Sequence, residues 1–337
     1  MSDPPGSAEP SGRGRLAEGL RAHLSDAVSQ LAAAGALIIV FVYLSVASPV
    51  FLSGDNLFNV GVQTSVTAII AIGVTMVIIT AGIDLSVGAV AALAGVIGAQ
   101  LMVDGGLNPY MAIVAGTLLG ALVGLGNGLL VTRLGLAPFI ATLGMMSVAR
   151  GVVYLATGAV AVSGVPDSFR LLGEGQVGFL PIPIIFLIIV AVGGHVLLTR
   201  TKLGRYSYAI GSNEEAARLS GIPIRLYLTV VYVIAGGLAG LGGMIATSRL
   251  QSGQPNFGLG LELDVIAAAV IGGASLFGGQ GTVVGTLIGA FLIALIRNGA
   301  VLLDINIYWQ AVIIGVIIWV AVAFDQFRRT RLTAATE

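Results

Sequence analysis

Cysteine is absent from this chain of 337 residues, which removes disulfides, thiolate metal sites and cysteine nucleophiles. Charge is scarce as well. Asp, Glu, Lys and Arg supply 9% of the residues, where soluble domains carry about 25%. The 16 basic and 16 acidic side chains cancel, so no basic field points to nucleic acid. The two histidines, His23 and His195, stand apart and are expected to be solvated or snorkelling side chains rather than ligands. There is no G-x-x-x-x-G-K-S/T phosphate loop, no H-E-x-x-H pair and no G-x-S-x-G elbow. Nothing here equips the chain as an enzyme, and no cofactor or metal is expected on it.

What is abundant is apolar surface: 56% hydrophobic residues and a mean hydropathy of +1.00. That composition specifies an all-α polytopic membrane protein, since a span needs roughly 20 apolar residues. Residues 1–30 read as a disordered cytoplasmic tail with an amphipathic entry segment, residues 31–324 as the transmembrane domain, and residues 325–337 as a second cytoplasmic tail.

Apolar runs at Leu31–Val50, Gly61–Val103, Tyr110–Val131, Phe139–Thr157, Pro181–Leu198, Leu226–Thr247, Leu261–Gly273, Thr282–Ile296 and Ile307–Phe324 follow in order. The second is long enough for two crossings, broken only at TAGIDLSVG, Thr80–Gly88. The sequence therefore predicts about ten membrane segments, some short or broken. The break is expected as a tight junction near the membrane surface, with Asp84 capping the following helix. GGASLFGGQG, Gly272–Gly281, is expected as a second helix break.

With the N-terminus inside, Arg13, Arg15, Arg21, Arg133, Arg200, Lys202, Arg205, Arg218, Arg225, Arg328, Arg329 and Arg331 all fall on the inner side. Only Arg170, Arg249 and Arg297 fall outside, and Arg150 lies within a span. The positive-inside rule then places both termini and the central polar stretch in the cytoplasm.

Glycine, 49 residues, recurs at small-xxx-small spacing, as in Gly116–Gly120 and Gly285–Gly289, which suits close helix packing. GTLLGA at Gly116 and GTLIGA at Gly285 match, each followed by an Asn-Gly pair (Asn127-Gly128, Asn298-Gly299). The two copies cross in opposite directions, the signature of a candidate inverted repeat.

The longest charged interruption is TRTKLGRYSYAIGSNEEAARLSGIP, Thr199–Pro223. Within it a two-turn helix, Asn213–Ser220, is predicted. Ser212 and Glu215 form an S-x-x-E capping box, Gly221 takes the left-handed exit, and Pro223 blocks continuation. Local physics admits two readings, an ordinary capped cytoplasmic loop or a docking helix for a cytoplasmic partner.

Gln63, Thr64, Asp84, Ser86, Asn127, Thr142, Arg150, Glu262, Asp264 and Asn298 are the sparse polar residues of the apolar region. Such residues tend to face a cavity or a partner. With no convincing mid-span acidic relay, a neutral polar solute suits the pathway better than an ion.

At TAGIDLSVG the chain resembles the permease subunits of ribose-type sugar importers of the ATP-binding-cassette class. GLGNGLLVTRLGLAPFIATLG (Gly124–Gly144), TKLGRYSYAIGSNEEAARLSGI (Thr201–Ile222) and AAAVIGGASLFGGQGTVVGTLIGA (Ala267–Ala290) agree in the same order. The GIDLSVG stretch looks sugar-type rather than like the related branched-chain amino-acid permeases.

The resemblance implies a second permease subunit, a cytoplasmic ATPase that binds ATP-Mg in place of this chain, and an extracytoplasmic sugar-binding protein. All would sit at a bacterial inner membrane. It also implies that Asn213, Glu214, Glu215, Ala216, Ala217, Arg218, Leu219, Ser220 and Gly221 form the coupling helix that docks on the ATPase. Asp84, Ser86, Asn127, Thr142 and Asp264 are the candidates for the translocation pathway or its helix break. Asp167, Arg170, Glu174 and Arg249, on the outer loops Gly158–Leu180 and Ser248–Gly260, are the candidates for binding-protein docking. The expected activity is ATP-driven import of a monosaccharide by alternating access. The rivals are another small polar solute (a nucleoside, polyol or signalling furanose), a secondary transporter or channel, and an intramembrane enzyme.

Overall fold

The computed structural model describes residues 12–334. Its helices are α1 (Gly12–Ala47), α2 (Gly54–Ile79), α3 (Val87–Val103), α4 (Pro109–Thr132), α5 (Pro138–Thr157), α6 (Arg170–Glu174), α7 (Ile182–Arg200), α8 (Lys202–Ser212), α9 (Glu214–Leu219), α10 (Ile224–Leu250), α11 (Leu261–Ile271), α12 (Val283–Leu302) and α13 (Ile307–Ala334). The ten predicted apolar segments correspond to α1–α5, α7 and α10–α13. Seven of these helices are long and apolar enough to cross a membrane. Of the N-terminal stretch expected as tail and entry segment, residues 1–11 lie outside the described residues, and the remainder already belongs to α1. Likewise α13 carries helical backbone to Ala334, through most of the expected C-terminal tail.

Two helices form the centre. α2 is buried from Thr64 to its end, Thr67 apart, and α10 packs antiparallel against it, Gly73 meeting Ala235 and Gly242 meeting Ile70. Glycine makes such approaches possible. A Cβ at Gly120 would collide with the carbonyl of Gly236, and one at Gly236 with the carbonyl of Gly120, so α4 and α10 touch backbone to backbone. The predicted small-residue pair Gly116–Gly120 faces α10, while Gly285–Gly289 faces α11.

The chain is built twice over. A long helix, an irregular break, a shorter helix and two further helices occur as α2–α5 and again as α10–α13. In each half, a non-glycine residue in the left-handed region closes the long helix: Ala81 at φ 59° and Gln251 at φ 52°. α4 is antiparallel to α10. α12 is antiparallel to α2, with Thr75 against Thr286 (2.6 Å) near one end and Asn56 against Asn298 near the other. The GTLLGA and GTLIGA helices therefore run oppositely, as an inverted repeat requires. The halves also exchange partners, α4 lying on α10 and α12 on α2.

Candidate functional site

At one end of the molecule α8 and α9 form a compact unit. α8 is an amphipathic helix that the pattern of charges in Thr199–Pro223 concealed. Its Gly204, Ser207 and Ile210 are buried. Gly211 lies on the carbonyl of Ile79 at the end of α2 and against Gly279. Gly279 N donates to Ile79 O at 2.9 Å, and the Tyr208 hydroxyl donates to Gly281 O at 2.7 Å. The Tyr206 and Tyr227 rings meet edge to face at 4.8 Å, joining α8 to α10. The GGASLFGGQG break is thus a seat for α8, packed together with the end of α2.

α9 is the short helix anticipated from sequence, with its start shifted. Ser212 is the last residue of α8, and Asn213, at φ −162° and ψ 102°, is the N-cap, its Oδ1 accepting from Ala216 N at 2.9 Å. The S-x-x-E box does not form: Gly211 packing carries α8 through Ser212, and Asn caps as well as Ser. Glu215 pairs forward with Arg218 instead. The exit is as expected. Gly221 lies at φ 78°; its N–H reaches Arg218 O, and Ile222 N–H reaches Ala217 O, a Schellman closure. Glu214, Glu215, Ala216, Arg218, Leu219, Ser220 and Gly221 are all exposed, Leu219 at 80%, while Ala217 is buried.

A cavity of about 1060 Å³ opens between this unit and the turn joining α4 to α5, lined by Thr80, Gly82, Arg133, Pro138, Arg218 and Tyr232 among others. It reaches the break after α2, where Thr80, Gly82, Asp84 and Ser86 are buried. Asp84 does not cap α3. Ser86 holds the N-cap position with helical dihedrals, because Asp84 lies two residues too early. Its Oδ1 accepts instead from Ser86 N (2.8 Å) and Ser86 Oγ (2.6 Å). Asn127 Nδ2 donates to Ser86 Oγ at 2.9 Å, and Thr142 Oγ1 donates to Ile83 O at 3.1 Å. Four of the five pathway candidates, Asp84, Ser86, Asn127 and Thr142, are therefore gathered on one break. Tyr232, unmarked in the sequence, stands beside them with its hydroxyl against Gly82.

The second break, residues 251–260, is held from α5. Arg150 Nη1 donates to Pro255 O (2.7 Å) and Phe257 O (2.8 Å), and the Tyr154 hydroxyl donates to Asn256 Oδ1 (3.0 Å). Irregular backbone at membrane depth is tolerated only where such partners satisfy it. The two breaks touch, Gly88 meeting Gly258 backbone to backbone.

Asp264, the fifth candidate, lies apart from the other four. It is paired with Arg297 of α12, whose Nη2 reaches Oδ1 at 2.8 Å and Oδ2 at 2.7 Å. Nothing in the sequence announced this pair, which depends on α11 folding back on α12.

At the end opposite α9, the loops expected for docking are fastened together. The two-residue strands Val162–Ser163 and Ser252–Gly253 pair antiparallel. Ser248 Oγ donates to Phe169 O at 2.5 Å and accepts from Gly173 N at 2.8 Å. Arg170 and Glu174 form an exposed ion pair of 2.6 Å, Asp167 opens a single 3-10 turn, and Arg249 is half-buried at the end of α10. Among the described residues no group of three or more His, Cys, Asp or Glu could hold a metal ion.

The family described as branched-chain amino acid transport system / permease component matches residues 56–322. The ribose import permease of Bacillus subtilis (strain 168) is 42% identical, over 91% of this chain and 95% of its own. That of Haemophilus influenzae is 44% identical, over 88% and 93%. The D-allose transport system permease of Escherichia coli (strain K12) is 41% identical, over 86% and 89%. No solved structure matches the chain.

Proposed function

The chain belongs to the branched-chain amino acid transport system / permease component family, and from that premise we propose that it carries a monosaccharide, ribose first, across the bacterial inner membrane. It is a multi-pass permease subunit of an ATP-binding-cassette sugar importer, a transport component working with an ATPase and a substrate-binding protein. The observation that carries the choice of solute is identity of 42% and 44% to two ribose import permeases over nearly the whole of each chain. The allose permease, at 41%, keeps a hexose as the second reading.

In this proposal Asn213–Gly221 is the coupling helix and lies in the cytoplasm with both termini, as the distribution of Lys and Arg argues. ATP-Mg is bound and hydrolysed on the separate ATPase. The capped, exposed α9 supports that role, since it is joined directly to α8, which is seated on the end of α2 and on Gly279 and Gly281 of the GGASLFGGQG break: a push on α9 reaches both without an intervening flexible segment. A second permease subunit completes the pathway, Asp84, Ser86, Asn127 and Thr142 shape its gate, and Asp167, Arg170, Glu174 and Arg249 meet the binding protein. The test is uptake of labelled ribose, allose and galactose into vesicles holding this chain with its ATPase and binding protein. Ribose uptake that requires ATP is expected, and uptake driven by an ion gradient without the ATPase would overturn the reading.

A further inference from the structure

A second cavity, of about 360 Å³, opens at the end of the molecule away from α9, between α2, the end of α10, the second break and the start of α11. Its volume falls within the roughly 300–1,000 Å³ of small-molecule sites. Six lining residues carry the argument: Gln63, Thr67, Arg249, Phe257, Asp264 and Arg297. Gln63 lies nine residues into α2, about 14 Å along the helix from its start, so the cavity penetrates well below the helix ends.

The chemistry of that lining is unusual for its depth. Asp264 is 7% exposed in a region where an ionised side chain marks a functional position by default. The guanidinium of Arg297 spends only Nη2 on Asp264, and its buried Nε has no hydrogen-bond partner among the described residues. A pair serving only to staple α11 to α12 would use the fork of the guanidinium, two parallel bonds from two nitrogens. Here one nitrogen serves both carboxylate oxygens, leaving unused donors and spare carboxylate lone pairs side by side.

A vicinal diol matches that arrangement. One hydroxyl donates to the carboxylate, its neighbour accepts from the guanidinium, the Gln63 amide and Thr67 hydroxyl supply further donors and acceptors, and the Phe257 ring offers an apolar face. The mutual neutralisation of Asp264 and Arg297 suits an uncharged solute, to whose hydroxyl oxygens the half-buried Arg249 offers a further donor. We propose that this cavity, with Asp264 and Arg297 in its lining, is a solute subsite of the permease that takes a neutral polyhydroxylated molecule of monosaccharide size on the extracytoplasmic side. The proposal rests on the functional reading above.

The absence of cysteine makes the test clean. Leu250 lines the cavity and is 50% exposed, so Leu250→Cys places a single thiol at its wall without touching the polar groups. In the permease–ATPase assembly without binding protein, millimolar ribose is expected to slow alkylation of that thiol several-fold, whereas an equal concentration of choline chloride has no effect. Adding Asp264→Asn should abolish the protection.

In the full importer, Asp264→Asn and Arg297→Gln should each raise the apparent KM for uptake about tenfold, as loss of a charge-assisted hydrogen bond implies. The charge exchange Asp264→Arg with Arg297→Asp should fail to restore uptake. Alkylation insensitive to ribose in an assembly that imports ribose would overturn the subsite alone, and so would full rescue by the exchange, which would make the pair a staple. A wild-type assembly that takes up no monosaccharide would overturn the functional reading and this proposal together.

Discussion

Asn127 reaches from α4 into the break between α2 and α3 and donates to Ser86 Oγ at 2.9 Å, while the same hydroxyl donates to Asp84. A helix start is thereby fixed by a residue 41 positions away. All three side chains are 1% exposed, so each lost partner leaves a buried polar group behind.

Asp84 is predicted to tolerate Asn far better than Leu. Asp84→Asn keeps an Oδ1 that can accept from both Ser86 N and Ser86 Oγ. Asp84→Leu orphans both donors, at about 1–3 kcal/mol. Thermal unfolding of the purified permease in detergent checks this, and equal melting of the two variants would contradict the assignment.

Neighbouring glycines on α10 should behave oppositely. A Cβ at Gly236 meets the backbone of α4 at Gly120 and Gly124, whereas at Gly237 it finds Ala121 Cβ at 3.6 Å, an ordinary contact. Gly236→Ala should destabilise by roughly 1–3 kcal/mol. Gly237→Ala should be neutral or stabilise by up to about 1 kcal/mol through helix propensity. Membrane yield and melting temperature of the two variants, measured side by side, decide it.

Arg150 holds two carbonyls of the second break. Replacing it by Leu should cost about 1.5–3 kcal/mol, the range of a lost hydrogen bond to a charged group. The loss should be local. Hydrogen exchange is expected to quicken across residues 251–260 while α2 remains protected.

On α9, Glu215 and Arg218 form an exposed ion pair three residues apart, a geometry that contributes within about 0.5 kcal/mol. Glu215→Gln should therefore leave stability nearly unchanged. Leu219, the exposed apolar residue of the helix, is the better probe of docking. Leu219→Asp should lower ATP-dependent uptake at least tenfold without lowering the amount of permease in the membrane. Normal uptake by that variant would remove α9 from the ATPase interface.

Much of this was legible in composition and punctuation. Long apolar runs give spans wherever water is absent, and Gly221 followed by Pro223 marked the end of α9. Its start was misread by one residue because Ser212 and Asn213 are both good caps and only tertiary packing of Gly211 chooses between them. Asp84 was recognised as a helix-break residue, but its partner depends on where α3 begins, and alternating Val, Gly and Ala carry no signal for that boundary. α8 escaped notice because its apolar face is made of Gly, Ser and Ile, too small a stripe to stand out among flanking charges. The Asp264–Arg297 pair joins residues 33 apart and follows only from the hairpin of α11 and α12.

The exchange of partners between the halves sets an order on biosynthesis. α4 presents its glycine face to α10, yet roughly 90 residues separate the end of one from the start of the other. At about 5–20 residues per second, the first half waits some seconds in the bilayer with its tightest packing surface unmatched. Neither half completes its packing alone, so a nascent chain arrested before α10 leaves the glycine face of α4 without the helix it fits.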